Sequence, residues 1–357
     1  MSHWQVGWPL YHTSLIPTQR DDLNKVLERS KSGLAFYDTV NRPKSPGKAG
    51  SSKPDLGMFC EDDMNRGHLK DTHEPVEGGD SCDFIYTASM GKVYMFVEVN
   101  VSDLMDPFTD PPDDNIPPGY RFTIDTSKQH MNSEEMRCRV KALGQNTCYA
   151  HTIHTRQFRT CVYSISIAGS TARLLRWDRS GVVVTRRFDY KSNPKPLIDF
   201  TWRFSKAADK DRGFDLSAVA VDSEGEREQF VDAIRRHVEA QLPGMSAKDT
   251  EIEVGRHCWP GAVTRLNVET DMGAYGIWVS RPVFTSKRPT GRSTTGYWGV
   301  DCESGEVVFV KDVWCTDVPG VETEGAILQR LSGVGVRNIP GLVCHGDVGK
   351  SSCFLFT

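Results

Sequence analysis

VVFVKDVW, residues 307–314, is the stretch on which the fold turns. It reads as a β-strand because valine and the aromatics fit a pleated surface. With a period of two, Val307, Phe309, Lys311 and Val313 share one face, and Val308, Val310, Asp312 and Trp314 share the other. Both faces are largely apolar, so the strand is expected to be covered on both sides. A lysine in such a place is costly unless its charge is paired. The helix expected over Val321–Leu331 offers the partner. Glu324 has Ile327 and Leu328 three and four residues on, which puts it on the apolar, inward side. Glu322, with Gly325 and Ala326 there, points away. Without that pairing, Lys311 would be a lysine on an edge strand whose stem lies over apolar surface.

Strands at Tyr275–Phe284 and Thr294–Asp301 precede this one, joined by tight turns. GRSTTGYW, residues 291–298, can be laid on a glycine-rich phosphate loop of the form GxGxxGxV. Gly291 and Gly296 match, Ser293 takes the place of the second glycine, and Trp298 that of the valine.

YGIWVSRPVF (275–284), GRSTTGYWGVD (291–301), VVFVKDVW, ETEGAILQRL (322–331) and VRNIPGLVCHGDV (336–348) together resemble the N-lobe of the fungal-type protein kinases. ISIAGSTARLLRWDRSGVVVTRRFDY (165–190) and DFTWRFSKAADKDRGFD (199–215) resemble the front segment of the same family. The resemblance implies an ATP site in which Lys311 holds the phosphates, Glu324 orients Lys311, and Gly291, Ser293 and Gly296 form the phosphate loop, with Mg²⁺ bound alongside the ATP. No His-Arg-Asp or Asp-Phe-Gly follows Lys311. The expectation is therefore a kinase-like protein that is catalytically incomplete, with the C-lobe absent and ATP binding weak or missing. An N-lobe face left uncovered would invite protein partners, so a non-catalytic interaction module is the alternative.

A second constellation lies upstream. Pro54-Asp55 opens a short strand, Glu98-Val99-Asn100 closes a strong one, and Gln145 and Tyr149 lie one helical turn apart. This order resembles the PD-(D/E)xK nuclease fold. The likeness implies Asp55 and Glu98 as Mg²⁺ ligands. Asn100 stands where that fold carries its lysine, so the expected state is the fold without the chemistry, and an active nuclease is the remote alternative.

The expected class is thus α+β: a front α/β domain over 1–245, then an N-lobe of antiparallel sheet plus one helix over 251–357. Pro243 and Gly244 mark the boundary. A helix over 224–242 starts with a capping box of Ser223 and Glu226. Another spans 133–156, and Asp178–Gly181 tips a hairpin. The segment 104–119, dense in Pro and Asp, excludes regular structure. Of the chain's 357 residues 38% are hydrophobic and 25% charged, with a formal charge of −4. That balance argues against general nucleic-acid binding; the arginines 173, 176, 179, 186 and 187 read as a solvated hairpin surface. No apolar run reaches the ~18–20 residues of a membrane span, and no secretory leader is visible. Ten scattered cysteines without a CxxC pair fit a reduced, intracellular setting.

Overall fold

The strand carrying Lys311 is the edge of a five-stranded antiparallel sheet, and a separate, larger sheet precedes it. The structure is a computed structural model that describes residues 11–39, 54–65, 88–112, 115–124, 134–259, 261–270, 273–314, 320 and 322–346. Two compact units divide at Gly213/Phe214.

The first unit runs α1 (Tyr11–Ser30), β1 (Leu34–Asp38), β2 (Leu56–Cys60), α2 (Glu61–Asn65), β3 (Met95–Asn100), α3 (Glu134–Arg156), β4 (Val162–Ala168), β5 (Thr171–Asp178), β6 (Gly181–Val184), β7 (Phe188–Asp189) and α4 (Lys195–Lys206). Strands β1 to β6 lie in sequence order and β7 pairs with β5. Every pairing is antiparallel except β3 with β4, where α3 forms the crossover a parallel pair requires. Strand alternation divides the core. Leu23, Leu27, Leu197 and Phe204 of α1 and α4 meet Met95, Val97 and Val99 on one face. On the other, Tyr149 and Ile153 of α3 meet Phe96, Val162 and Leu175. The result is three layers, with β3 buried between helices.

The hairpin tip forms as its sequence dictates: the Asp178 carboxylate accepts from the amides of Ser180 (2.9 Å) and Gly181 (3.2 Å). The Pro/Asp segment is irregular, with a short 3-10 turn at Asp103–Met105. Its use is to bring Asp106 and Asp110 onto Arg173, whose guanidinium meets them at 2.8 and 2.6 Å. The arginines are therefore not all solvated hairpin surface: Arg173 and Arg179 are buried.

The second unit holds β8 (Ala218–Ala220), α5 (Glu224–Gln241), α6 (Ala247–His257), β9 (Thr264–Thr270), β10 (Gly273–Val279), β11 (Thr295–Asp301), β12 (Val307–Asp312) and α7 (Glu324–Gly333). The sheet order is β12-β11-β10-β9-β8. Ser223 caps α5 as expected, accepting from the Glu226 amide. The domain boundary differs from the one expected at 243–250. Phe230, Ala233, Ile234 and Val238 of α5 share a core with Val254 of α6, Trp278 of β10 and Val300 of β11. Arg235 of α5 also reaches Glu251 of α6 at 2.9 Å. Pro243 and Gly244 look like a linker in sequence. They form only the turn between two packed helices, with Gly244 at φ +91°.

Among the described residues no helix is long and apolar enough to cross a membrane, and none of the cysteines is in a disulfide. In sequence, Ser352–Thr357 reads as a fifth N-lobe strand and Ser133 as an N-cap; both lie outside the described residues.

Candidate functional site

In β12, Lys311 lies directly opposite Gly296 of β11, and Phe309 opposite Trp298. These four residues occupy one face of the sheet. Helix α7 begins at Glu324, and Thr323 caps it by accepting from the Ala326 amide. Lys311 Nζ donates to both carboxylate oxygens of Glu324, at 2.7 and 2.5 Å. Glu322 is held elsewhere, by Arg330 at 2.9 Å. The helix starts three residues later than the expected Val321, so Glu322 precedes it and Glu324 is its first residue.

The burial expected for this pair is absent. The Lys311 and Glu324 side chains are 40% and 46% exposed, and α7 has no buried residue. The strand reads as covered on both sides because both faces are apolar, yet Phe309 is 49% exposed. β12 has a neighbour only at β11, so nothing in the described sheet flanks its other edge.

The loop preceding β11 keeps the turn geometry of a glycine-rich segment. Gly291 has φ +88°, and Ser293, standing in for a glycine, has φ +41° and is buried. The Arg292 carbonyl accepts from the Trp314 amide at 2.9 Å, which ties the loop to the end of β12. Gly296 is within the strand and not at the loop tip. Its Cα lies under the rings of Phe284 and Phe309, where a Cβ would collide with both. Those rings stack with centroids 6.3 Å apart. On the same face α5 covers Trp298 with His237, at 4.9 Å between rings.

In the first unit, Asp55 immediately precedes β2 and Glu98 is near the end of β3. Asp55 Oδ2 accepts from the Val99 amide at 2.7 Å, so it is pinned next to Glu98 on the neighbouring strand. Asp55 is 7% and Glu98 4% exposed. Burial pushes the Glu98 carboxyl well above the usual carboxylate range. The adjacent Asp55 charge pushes it further up, and Lys141 pulls it part of the way down. Glu98 Oε2 and Asn100 Nδ2 are buried with no hydrogen-bond partner among the described residues. Gln145 Nε2 reaches Tyr149 Oη at 3.4 Å on α3. Among the described residues no group of three or more His, Cys, Asp or Glu is arranged to hold a metal ion.

A family model described as "Fungal protein kinase" matches residues 123–353, well over half of the chain. The chain belongs to the fungal protein kinase family. No curated protein and no solved structure matches it. The match begins ahead of α3, so the family includes part of the front unit as well as the unit that carries Lys311.

The structure adds residues to this family site that sequence reasoning passes over. Phe284 covers Gly296 through a backbone bridge, with the Gly296 amide donating to the Phe284 carbonyl at 3.0 Å and the Val283 amide donating to the Gly296 carbonyl at 2.8 Å. Twelve residues of sequence separation hide that link from any short-range pattern. Lys141 acts on Glu98 from a helix beginning 36 residues after it, and its only sequence signal is a place four residues ahead of Gln145.

Proposed function

We propose that the second unit is a kinase-like nucleotide module in which Lys311, oriented by Glu324, meets the phosphates of ATP·Mg²⁺. The observation that carries this reading is the two-pronged contact of Lys311 Nζ with the Glu324 carboxylate, at 2.7 and 2.5 Å. An exposed ion pair stabilises a fold by about 0–1 kcal/mol, so its geometry is weak as a structural device and favourable as a ligand grip that costs little to open. Family membership supports ATP and magnesium as the ligands. No His-Arg-Asp or Asp-Phe-Gly motif follows Lys311 in these 357 residues, so the proposal is confined to nucleotide binding.

A fluorescent ATP analogue titrated in the presence of Mg²⁺ tests the binding, with Lys311→Met as control. The expected result is weak, saturable binding that Lys311→Met removes. Binding of equal strength in native protein and variant sinks the assignment.

A second reading concerns the front unit, where we infer a nuclease-type fold that has lost part of its chemistry. It is supported by the element order α1-β1-β2-α2-β3-α3-β4, with one parallel pair at β3–β4, and by Asp55 held against the strand of Glu98. Two carboxylates, one of them with an orphaned buried oxygen, suit a hard divalent cation, which would supply Lewis acidity and a bound water.

A further inference from the structure

β6 closes the front sheet without the guards that edge strands carry. It reads Gly181-Val182-Val183-Val184 and pairs with β5 on one side. Edge strands are ordinarily blunted by lysine, proline or an inward charge, and three valines in a row supply none of these. The Thr185 amide donates to the Leu174 carbonyl at 3.1 Å, which fixes the phase of the ladder. Bonded positions alternate along an antiparallel pair. Thr185 and Val183 therefore turn their backbone groups to β5, and Val184 and Val182 turn theirs outward. Among the described residues no backbone group pairs with the outward amides and carbonyls of Val182 and Val184.

Beyond Thr185 the edge is covered. The Asp110 carboxylate accepts from the Arg187 amide at 3.4 Å, and the Pro111 carbonyl accepts from the Arg186 guanidinium at 3.3 Å. Where that cover begins there is a cleft of about 190 Å³, with Phe108, Pro111, Ile116, Phe122 and Val184 as its apolar lining. Asp110 and Arg173 also line it, but they bond each other at 2.6 Å, so what the cleft has left to offer is apolar. An apolar cavity of about 150 Å³ takes a benzene ring, so this one takes a side chain the size of leucine or phenylalanine. Ile116, Phe122 and Val183 are exposed although large and apolar. The charge that a partner meets beside this edge is positive. Arg176 and Arg187 are 41% and 57% exposed, whereas the acids they contact, Asp178 and Asp110, are 15% and 24% exposed.

We propose that the open edge of β6 docks an extended, acidic peptide segment of a partner protein as an added strand. The backbone of the segment bonds Val182 and Val184, one of its apolar side chains enters the cleft, and an acidic side chain meets Arg187. Strand addition draws affinity from main-chain hydrogen bonds and specificity from pockets for alternate side chains, and this edge has both. A second copy of the chain would bring the same positive margin to the edge, and like charges across paired strands are unfavourable. The edge is independent of the nucleotide and nuclease-type readings.

The test is fluorescence anisotropy on the full chain with a labelled heptapeptide, Glu-Asp-Val-Leu-Val-Asp-Glu, and a twin that carries lysine at the acidic positions. The acidic probe is expected to bind saturably and about tenfold more tightly than its twin. N-methylation of the probe's central amides leaves the protein untouched and should weaken binding about tenfold, the size of one or two net hydrogen bonds. Val182→Pro should do the same, because an edge strand tolerates proline where its amide faces outward. Phe122→Ala widens the cleft and should weaken the probe about tenfold. Arg187→Glu should reverse the preference, so that the lysine twin binds better. No binding of the acidic probe, equal binding of the two probes, or binding indifferent to N-methylation overturns the proposal. A doubled mass in sedimentation that Val182→Pro abolishes assigns the edge to a second copy and overturns the foreign strand. Phe122 and the Arg187 side chain are exposed, so their variants decide the matter even where Val182→Pro fails to fold.

Discussion

The two units handle charge in opposite ways. In the front unit Asp55, Glu98, Arg173 and His154 are all buried, each at 8% exposure or less. In the second unit Lys311 and Glu324 are 40% and 46% exposed. Buried charge is expensive to desolvate and is retained only where a partner, a proton or a ligand offsets it. Exposed charge costs little and stabilises little. The front unit should therefore respond to single charge changes with its stability, and the second unit with its ligand affinity.

The largest expected effect is on Arg173. Arg173→Ala leaves buried Asp106 without its cation and Asp110 with only the long contact to Arg187 (3.8 Å), and removing one side of a buried pair costs about 3–5 kcal/mol. Urea unfolding followed by circular dichroism measures it. A loss below about 1 kcal/mol would put this cluster in the class of surface pairs and break the contrast.

Next is the acid limb. Burial lowers the His154 pKa to about 3, with the nearby Arg179 charge adding to the effect. The unfolded chain takes up this proton near pH 6.5 and the folded one does not. A depressed folded pKa means stability is complete above about pH 6.5 and declines as pH falls toward 3, by about 1.4 kcal/mol per pH unit. His154→Gln should flatten that slope between about pH 6 and 4. An unchanged slope would assign the acid sensitivity to other groups.

Smaller effects belong to the second unit. Thr323→Ala removes the cap of α7 and should cost about 1 kcal/mol locally. α7 has no buried residue, so the loss should appear as faster hydrogen exchange at Ala326 and as weaker nucleotide binding, without a shift in global unfolding. Lys311→Met should change stability by no more than about 1 kcal/mol while removing nucleotide binding. A stability loss of several kcal/mol in Lys311→Met would mean that the pair is a structural strut after all.

Much of this is legible in the sequence. The spacing points to Glu324, and the structure does pair it with Lys311, but as the first residue of α7 and not from a buried helix face. Asp55 and Glu98, singled out in the sequence, do come together on neighbouring strands. The exposure of Lys311 is not legible, because two apolar faces look alike whether or not a neighbouring layer is present. The boundary at Gly213 is not legible either, because Pro-Gly punctuates a helical hairpin as well as a linker. Gly296 fits the spacing of a phosphate loop, but it supports the ring of Phe284.

By itself, the sequence determined the local elements, the family and the identity of the paired charges in the second unit. These depend on periodicity, caps and turn chemistry, which act over a few residues. Only the tertiary structure decided how charges are solvated and what stands against them: Arg173 closed in by an irregular acidic segment, and Lys311 left at a sheet edge. Solvation depends on which distant segments cover a side chain, and no short-range pattern encodes that.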